Sequence, residues 1–148
     1  MKPLDSNEIM QIGIVVRDIE KAAKEYSELF GVEMPNIRNA FPTITYRGQK
    51  ITTHSRLCAI PMGHVMLELV QPDEGPSSWR EFLDTHGEGV HHIGFVVKDL
   101  DGAFKTLEEH GIAKRQYGGA QWGSYCFMDS EKLGVLFNVK CDKPYEEK

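Results

Sequence analysis

Gln11-Ile12-Gly13-Ile14-Val15-Val16-Arg17-Asp18-Ile19-Glu20-Lys21-Ala22 returns later in the same chain as His92-Ile93-Gly94-Phe95-Val96-Val97-Lys98-Asp99-Leu100-Asp101-Gly102-Ala103. Most substitutions between the two copies keep chemical type. Each copy opens on a polar residue, Gln11 or His92, and runs into apolar, β-branched sequence that predicts a strand over about 9–16 and 90–97. An Asp then precedes a helical pattern. Ile19, Ala22, Ala23, Tyr26, Leu29 and Phe30 recur at helix spacing and form one apolar stripe, with Asp18 as N-cap and Gly31 as stop. In the second copy Leu100, Ala103, Phe104 and Leu107 form the stripe, Asp99 caps and Gly111 stops. A duplicated unit with a potential ligand at one fixed place predicts a site assembled between two related halves.

Shorter strand-like pieces follow each helix, at roughly 43–50, 55–60 and 65–70, then at 113–117, 123–128 and 134–139. Each half therefore reads β-α-β-β-β. The expected organisation is one domain over 8–140: a first module at about 8–72, a connector helix at about 78–86, a second module at about 89–140, and a polar tail at 141–148. Ser78-Trp79-Arg80-Glu81 resembles a capping box opening the connector, which ends at Gly87. Gln11 and Glu68 lie 57 positions apart, whereas His92 and Asn138 lie 46 apart. The first half thus carries about eleven extra residues, expected as a longer loop or lid within 36–53.

A chain of 148 residues is of single-domain length. Its 41% hydrophobic and 26% charged content are those of an ordinary soluble protein. No apolar run approaches the roughly 20 residues needed to cross a bilayer, and the first residues lack the apolar core of a signal peptide, so the expected location is cytoplasmic. A net charge of −5 without a dense Lys/Arg run argues against nucleic acid or an anionic membrane as partner. Cys58, Cys126 and Cys141, odd in number and without CxxC spacing, read as reduced thiols.

Strand alternation separates two faces. Gln11, Gly13 and Val15 share one; Met10, Ile12, Ile14 and Val16 form an apolar face for the helices. The same alternation places His92 with Gly94 and Val96, and His91 with Ile93, Phe95 and Val97. Glu68 and Asn138 are polar residues in the otherwise apolar last strands of the two halves. Should the halves close face to face, these four would converge. A lone buried carboxylate needs a partner, a proton or a metal, and Glu68 beside His92 suits a divalent cation, with amide oxygens of Gln11 and Asn138 as weaker donors. Gly13 and Gly94 leave space beside them. His91 reads as a hydrogen-bonded structural residue; His54, His64, His86 and His110 read as solvated.

The paired βαβββ halves, with HHIGFVVKDL in the second, resemble the vicinal-oxygen-chelate superfamily of glyoxalase I, methylmalonyl-CoA epimerase, extradiol dioxygenases and antibiotic-resistance proteins. The stretches LELVQP and WREFLDTHGEGVHHIGFVVKDL are especially similar to methylmalonyl-CoA epimerase and small bacterial glyoxalase-like proteins. The resemblance implies an α+β fold, two tandem βαβββ modules in a curved mixed sheet around a central cavity. It also implies one metal ligand from the first and last strand of each half, at Gln11, Glu68, His92 and Asn138, for Zn, Ni, Co or Mn. Epimerases usually read His, Gln, His, Glu there; one glyoxalase I pattern reads Gln, Glu, His, Glu. This chain follows the latter except at Asn138, which cannot act as a general base. The glutathione-holding arginines of glyoxalase I fall on Val15 and Glu88, which argues against glutathione. Homodimers are common in the resembling families, so a dimer is expected.

Two functions from different classes follow. In the first, a divalent metal polarises a small carbonyl compound or acyl thioester, and Glu68 moves the proton in an isomerase, epimerase or lyase step. Arg38, Arg47, Lys50 and Arg56 would meet an anionic substrate. In the second, the cavity binds a small molecule without metal, with Tyr46, Trp79, Trp122 and Tyr125 as a stacking wall.

Overall fold

The computed structural model describes residues 2–120 and 123–144. Trp122, one of the four aromatics expected in a stacking wall, lies outside the described residues, as does the end of the tail. The chain runs β1 (Gln11–Val15), α1 (Ile19–Phe30), β2 (Arg38–Ala40), β3 (Thr43–Tyr46), β4 (Gln49–Thr52), β5 (Ser55–Met62), β6 (Val65–Pro72), α2 (Ser78–His86), β7 (Gly89–Val96), α3 (Leu100–Glu109), β8 (Lys114–Ala120), β9 (Gly123–Met128), a single 3-10 turn at Glu131–Leu133, and β10 (Leu136–Cys141).

All ten strands join one sheet in the order β2-β5-β6-β1-β7-β10-β9-β8-β3-β4. The duplication is visible in it: β2-β5-β6-β1 and β8-β9-β10-β7 are equivalent sets, joined where β1 pairs antiparallel with β7. The two halves of one chain therefore pair with each other. The sheet must also curl. Strands β2 and β3 lie near its opposite ends, yet only Phe41 and Pro42 separate them. Three Cα steps reach at most about 11 Å, so the two ends approach each other and the sheet forms a strongly curled half-barrel.

The surplus in the first half is an ordered hairpin and not a loop. The expected strand at 43–50 is two strands, β3 and β4, and the module's own second strand is β2 at 38–40. Strand β3 pairs with β8 of the other half, Thr45 opposite Tyr117 and Tyr46 opposite Gln116. Its two-residue turn has Arg47 at φ 48° and Gly48 at φ 83°, the geometry that lets a tight hairpin follow the strand twist. Arg in the first of these positions is why the turn carried so weak a sequence signal.

Helices α1 and α3 cover the outer face. Asp18 caps α1 by accepting from the Lys21 amide at 3.1 Å, and Gly31 ends it in the left-handed region. Ile19 and Ala23 are buried with Val16, Cys58, Ile60, Leu67 and Leu69, whereas Leu29 and Phe30 at the far end of the stripe are exposed. Helix α3, capped by Asp99 through the Gly102 amide at 3.0 Å, packs Ala103, Phe104 and Leu107 against Val97, Met128 and Val139. Helix α2 sits at the hollow, burying Trp79 and Leu83 with Val15, Val70 and Phe127. Its cap is Ser77, one residue earlier than the capping-box reading: Ser77 Oγ accepts from the Arg80 amide at 3.0 Å. That displacement leaves the hydroxyl of Ser78 for another partner. The three cysteines are free and buried. Among the described residues no helix is long and apolar enough to cross a membrane.

Candidate functional site

Register decides how side chains from four strands reach one another. Strand β1 is parallel to β6 and β10 is parallel to β7, which sets Gly13 beside Glu68 and Gly94 beside Asn138. Across the central antiparallel pair, Gly13 faces His92 and Gln11 faces Gly94. Two rows result, Glu68–Gly13–His92 and Gln11–Gly94–Asn138, each with a glycine between two polar side chains. The glycines are a steric requirement: a Cβ on Gly13 would lie 2.0 Å from His92 Cε1, and one on Gly94 would lie 2.9 Å from Gln11 Cβ. Each half's glycine makes room for the other half's ligand.

The four side chains meet. Gln11 Oε1 accepts from His92 Nε2 at 2.9 Å and from Asn138 Nδ2 at 3.0 Å, while Gln11 Nε2 donates to Glu68 Oε2 at 3.2 Å. His92 Nε2 lies 3.6 Å from Glu68 Oε1. That contact is not ionic, because burial, with Lys140 adding to it, holds the imidazole down at about 3. Glu68 moves the other way: burial raises its carboxyl, opposed by Lys140, Arg38 and the Gln11 amide. Gln11, His92 and Asn138 are buried, whereas 21% of the Glu68 side chain remains open to the hollow. Asn138 Oδ1 is buried without a partner.

Strict alternation fails at His91. The β1–β7 register shifts at Gly13/Ile14, where Gly13 faces His92 but Ile14 faces Val90. His91 is the extra residue of a β-bulge, and the bulge turns it to the concave side instead of the Ile93, Phe95 and Val97 face. It is a hydrogen-bonded core residue there. Its Nδ1 lies 2.8 Å from His92 Nδ1 and its Nε2 2.9 Å from Ser78 Oγ, and burial drives its pKa well down. With both rings neutral, one proton order satisfies the chain: Ser78 donates to His91 Nε2, His91 Nδ1–H to His92 Nδ1, and His92 Nε2–H to Gln11.

The hollow beside these residues is a cavity of about 520 Å³. Glu68, Gln11 and Asn138 lie in its wall, and Leu57, Val70, Trp79, Tyr125 and Phe127 supply apolar surface. Tyr125 stays a neutral phenol, raised by burial, and its oxygen accepts from Gln116 Nε2 at 3.0 Å. Of the expected cations only Arg38 lines the cavity. Arg56 pairs with Glu20 at 2.5 Å, Arg47 pairs with Glu81 at 2.7 Å on the hairpin, and Lys50 lies on the outlying β4. Lys140 and Ser55, not anticipated from the sequence, line it too. Lys140 was legible, since it sits two residues beyond Asn138 and so shares its face; Ser55 carried no such signal. Tyr46 is on the hairpin and not in the cavity wall. His54 is not merely solvated: it bonds Asn39 Oδ1 at 3.0 Å and stacks on Phe41.

The sequence profile of the Glyoxalase/Bleomycin resistance protein/Dioxygenase superfamily matches residues 10–127, and the chain belongs to that superfamily. Among individual proteins, it is 27% identical to the uncharacterized protein YqjC of Bacillus subtilis (strain 168) over 106 residues, 72% of this chain and 69% of that one. Its fold is similar to methylmalonyl-CoA epimerase from Mycobacterium tuberculosis, with TM-score 0.63, 23% identity, and 92% and 88% of the two chains covered. It is similar also to Streptomyces coelicolor methylmalonyl-CoA epimerase in complex with 2-nitronate-propionyl-CoA, with TM-score 0.65, 21% identity, and 99% and 100% covered.

Proposed function

We propose that the protein is an isomerase-type enzyme that moves a proton at the carbon next to a carbonyl in a small acid or acyl thioester, with Glu68 as the base. One observation carries this reading. Glu68 is the one titratable group of the four-residue site that burial biases towards protonation, and it opens onto a cavity walled by Arg38 and Lys140. A carboxyl raised in this way is a stronger base than a free one and can accept a proton from carbon and return it. Asn138 cannot share that work. The site therefore has one base, and any exchange of configuration would require the substrate, not a second carboxylate, to present its other face.

The donor set fits a divalent metal. The imidazole of His92 is neutral, Glu68 supplies one carboxylate, Gln11 supplies an amide oxygen, and the unpartnered Asn138 Oδ1 is a further buried oxygen. Among the described residues no three His, Cys, Asp or Glu side chains cluster, so such an ion would depend on the two amides. An ion held by these four residues would supply a Lewis-acidic centre for the substrate carbonyl, and Glu68 would have to loosen from it to act as the base. The chain's own contribution is the reversible hydrogen-bond wire. Running it the other way, with His92 Nδ1–H donating to His91 and His91 Nε2–H to Ser78, frees the His92 Nε2 lone pair on the side of Gln11 and Glu68.

Proton exchange tests the reading. Incubation of candidate carbonyl acids and thioesters in deuterated water should label the α carbon, and Glu68→Gln should reduce labelling by about 10²-fold or more. Undiminished labelling in that variant rejects Glu68 as the base. Metal is assayed separately, by elemental analysis of protein purified without chelator.

A second reading, a metal-free binding protein for a small molecule, draws on the direct hydrogen bonds that already link Gln11 to Glu68, His92 and Asn138. It predicts no bound ion, no melting-temperature response to divalent cations and no labelling. Homodimerisation and a cytoplasmic setting belong to the same proposal.

A further inference from the structure

Among the described residues, five buried side-chain polar atoms have no hydrogen-bond partner: Thr53 Oγ1, Ser55 Oγ, Trp79 Nε1, Glu81 Oε2 and Asn138 Oδ1. Three of these residues, Ser55, Trp79 and Asn138, line the same cavity. Asn138 belongs to the four-residue site. Ser55, 1% exposed, and Trp79, 7% exposed, do not. A buried donor without an acceptor is costly, and here two such donors belong to residues that line one hollow, which makes an acceptor taken up there favourable.

Their surroundings define its chemistry. Ser55 begins β5 opposite Ala40, and Arg38, two residues before Ala40, lies opposite Leu57. Arg38, Ala40, Ser55 and Leu57 all line the cavity. Trp79 joins the same patch from α2, in the cluster that holds Val70 and against which Leu57 packs. The guanidinium and the indole N–H can only donate, and the serine hydroxyl can donate as well. The matching ligand group is an anion with several acceptor oxygens. Leu57 and Val70 suit an apolar stem behind it. Asp142, the other acid in the lining besides Glu68, follows the end of β10 in the opposite half.

We propose that Arg38, Ser55 and Trp79 form a carboxylate subsite. The cavity then takes a short organic acid, or an acyl group bearing a free carboxylate, with its carboxylate at this subsite and its carbonyl end at Glu68. Glu68 is two residues from Val70 on β6, roughly 7 Å along the strand, which suits a chain of about four to six carbons. The orientation rests on the proton-transfer reading of Glu68; the subsite itself does not.

The test observes the Trp79 indole N–H by proton–nitrogen correlation in the full chain, its resonance identified by its loss in Trp79→Phe. Succinate, succinyl-CoA and inorganic phosphate are titrated separately. Movement of the Trp79 resonance with succinate supports a free acid, and movement with succinyl-CoA alone supports the carboxylate of a thioester. Ser55→Ala and Arg38→Gln should each weaken that binding about tenfold or more; Arg38 is exposed on the short β2, so its replacement leaves the core intact. A resonance moved by phosphate alone, by no titrant at millimolar concentration, or with equal affinity in both variants overturns the subsite. Glu68→Gln keeps the two readings apart. Lost α-carbon labelling with a retained succinate response supports both. Retained labelling in that variant rejects only the base, and labelling of the parent without any acid response rejects only the subsite.

Discussion

The hydrogen of Gly13 does as much for this site as any ligand. It lies against the His92 ring where even a methyl group would collide, and Gly94 stands in the same relation to Gln11. The cost of Gly13→Ala follows from the rigidity of what it would meet. The imidazole is wholly buried and held at Gln11 and His91, so it cannot swing aside without breaking those bonds. Overpacking of this kind costs about 1–3 kcal/mol. Denaturant unfolding of Gly13→Ala should show a loss of about 2 kcal/mol or more, with a smaller loss for Gly94→Ala. A Gly13→Ala protein as stable as the parent would mean that the ring has somewhere to go. Alternation alone was enough to put Gln11, Glu68, His92 and Asn138 on one face, since period two is a local property of a strand. It misplaced His91, because a bulge is set by the partner strand.

The β3–β4 hairpin is held to the second half by strand pairing with β8, and a charge network lies beside that pairing. Arg115 on β8, its side chain 9% exposed, faces Asp129 in a short contact, Glu131 at 2.7 Å and Glu81 at 3.6 Å. Its carbonyl accepts from the Arg47 amide at 2.8 Å, and Arg47 returns to Glu81 at 2.7 Å. The Arg115 guanidinium thus ties α2 to the turn before β10, and Arg47, through Glu81, brings the hairpin into the same network. Arg115→Met would leave three carboxylates facing one another with one cation fewer. The carboxylates left behind are part-exposed, so the loss stays below the roughly 3–5 kcal/mol of a fully buried pair. The thermal midpoint should fall accordingly, and amide exchange in residues 43–52 should quicken first. A midpoint unchanged by this substitution would show that strand pairing alone secures the hairpin. The hairpin itself escaped the sequence reading. Eleven surplus residues were countable, but their docking on the other half is a contact between distant segments.

Two neutral histidines at the centre make the molecule sensitive to acid. His91 and His92 are both depressed, His92 to about 3, while an unfolded histidine titrates near 6.5. Below about 6.5 the unfolded chain therefore binds more protons than the folded one, and stability falls by about 1.4 kcal/mol per pH unit for each ring. Glu68 acts in the opposite sense. Its raised carboxyl takes up a proton in the folded state before it would in the unfolded one, so it offsets at most one of the two rings. The melting temperature should decline steadily from about pH 6.5 towards pH 5. His91→Gln, which can still bond Ser78 without titrating, should flatten that decline. A melting temperature level across this interval would contradict the buried neutral pair.

Taken alone, the amino-acid order specified the repeat, the strand and helix faces, both Asp caps, the family resemblance and the four polar positions, because those depend on neighbours within a few residues. Folding in three dimensions settled the rest: the two rows across β6, β1, β7 and β10, the bulge at His91, the shift of the α2 cap to Ser77, and the arrival of Arg38, Ser55, Lys140 and Trp79 at one hollow. These depend on register and curvature between segments tens of residues apart, and side-chain periodicity carries no information about which distant strand will lie alongside.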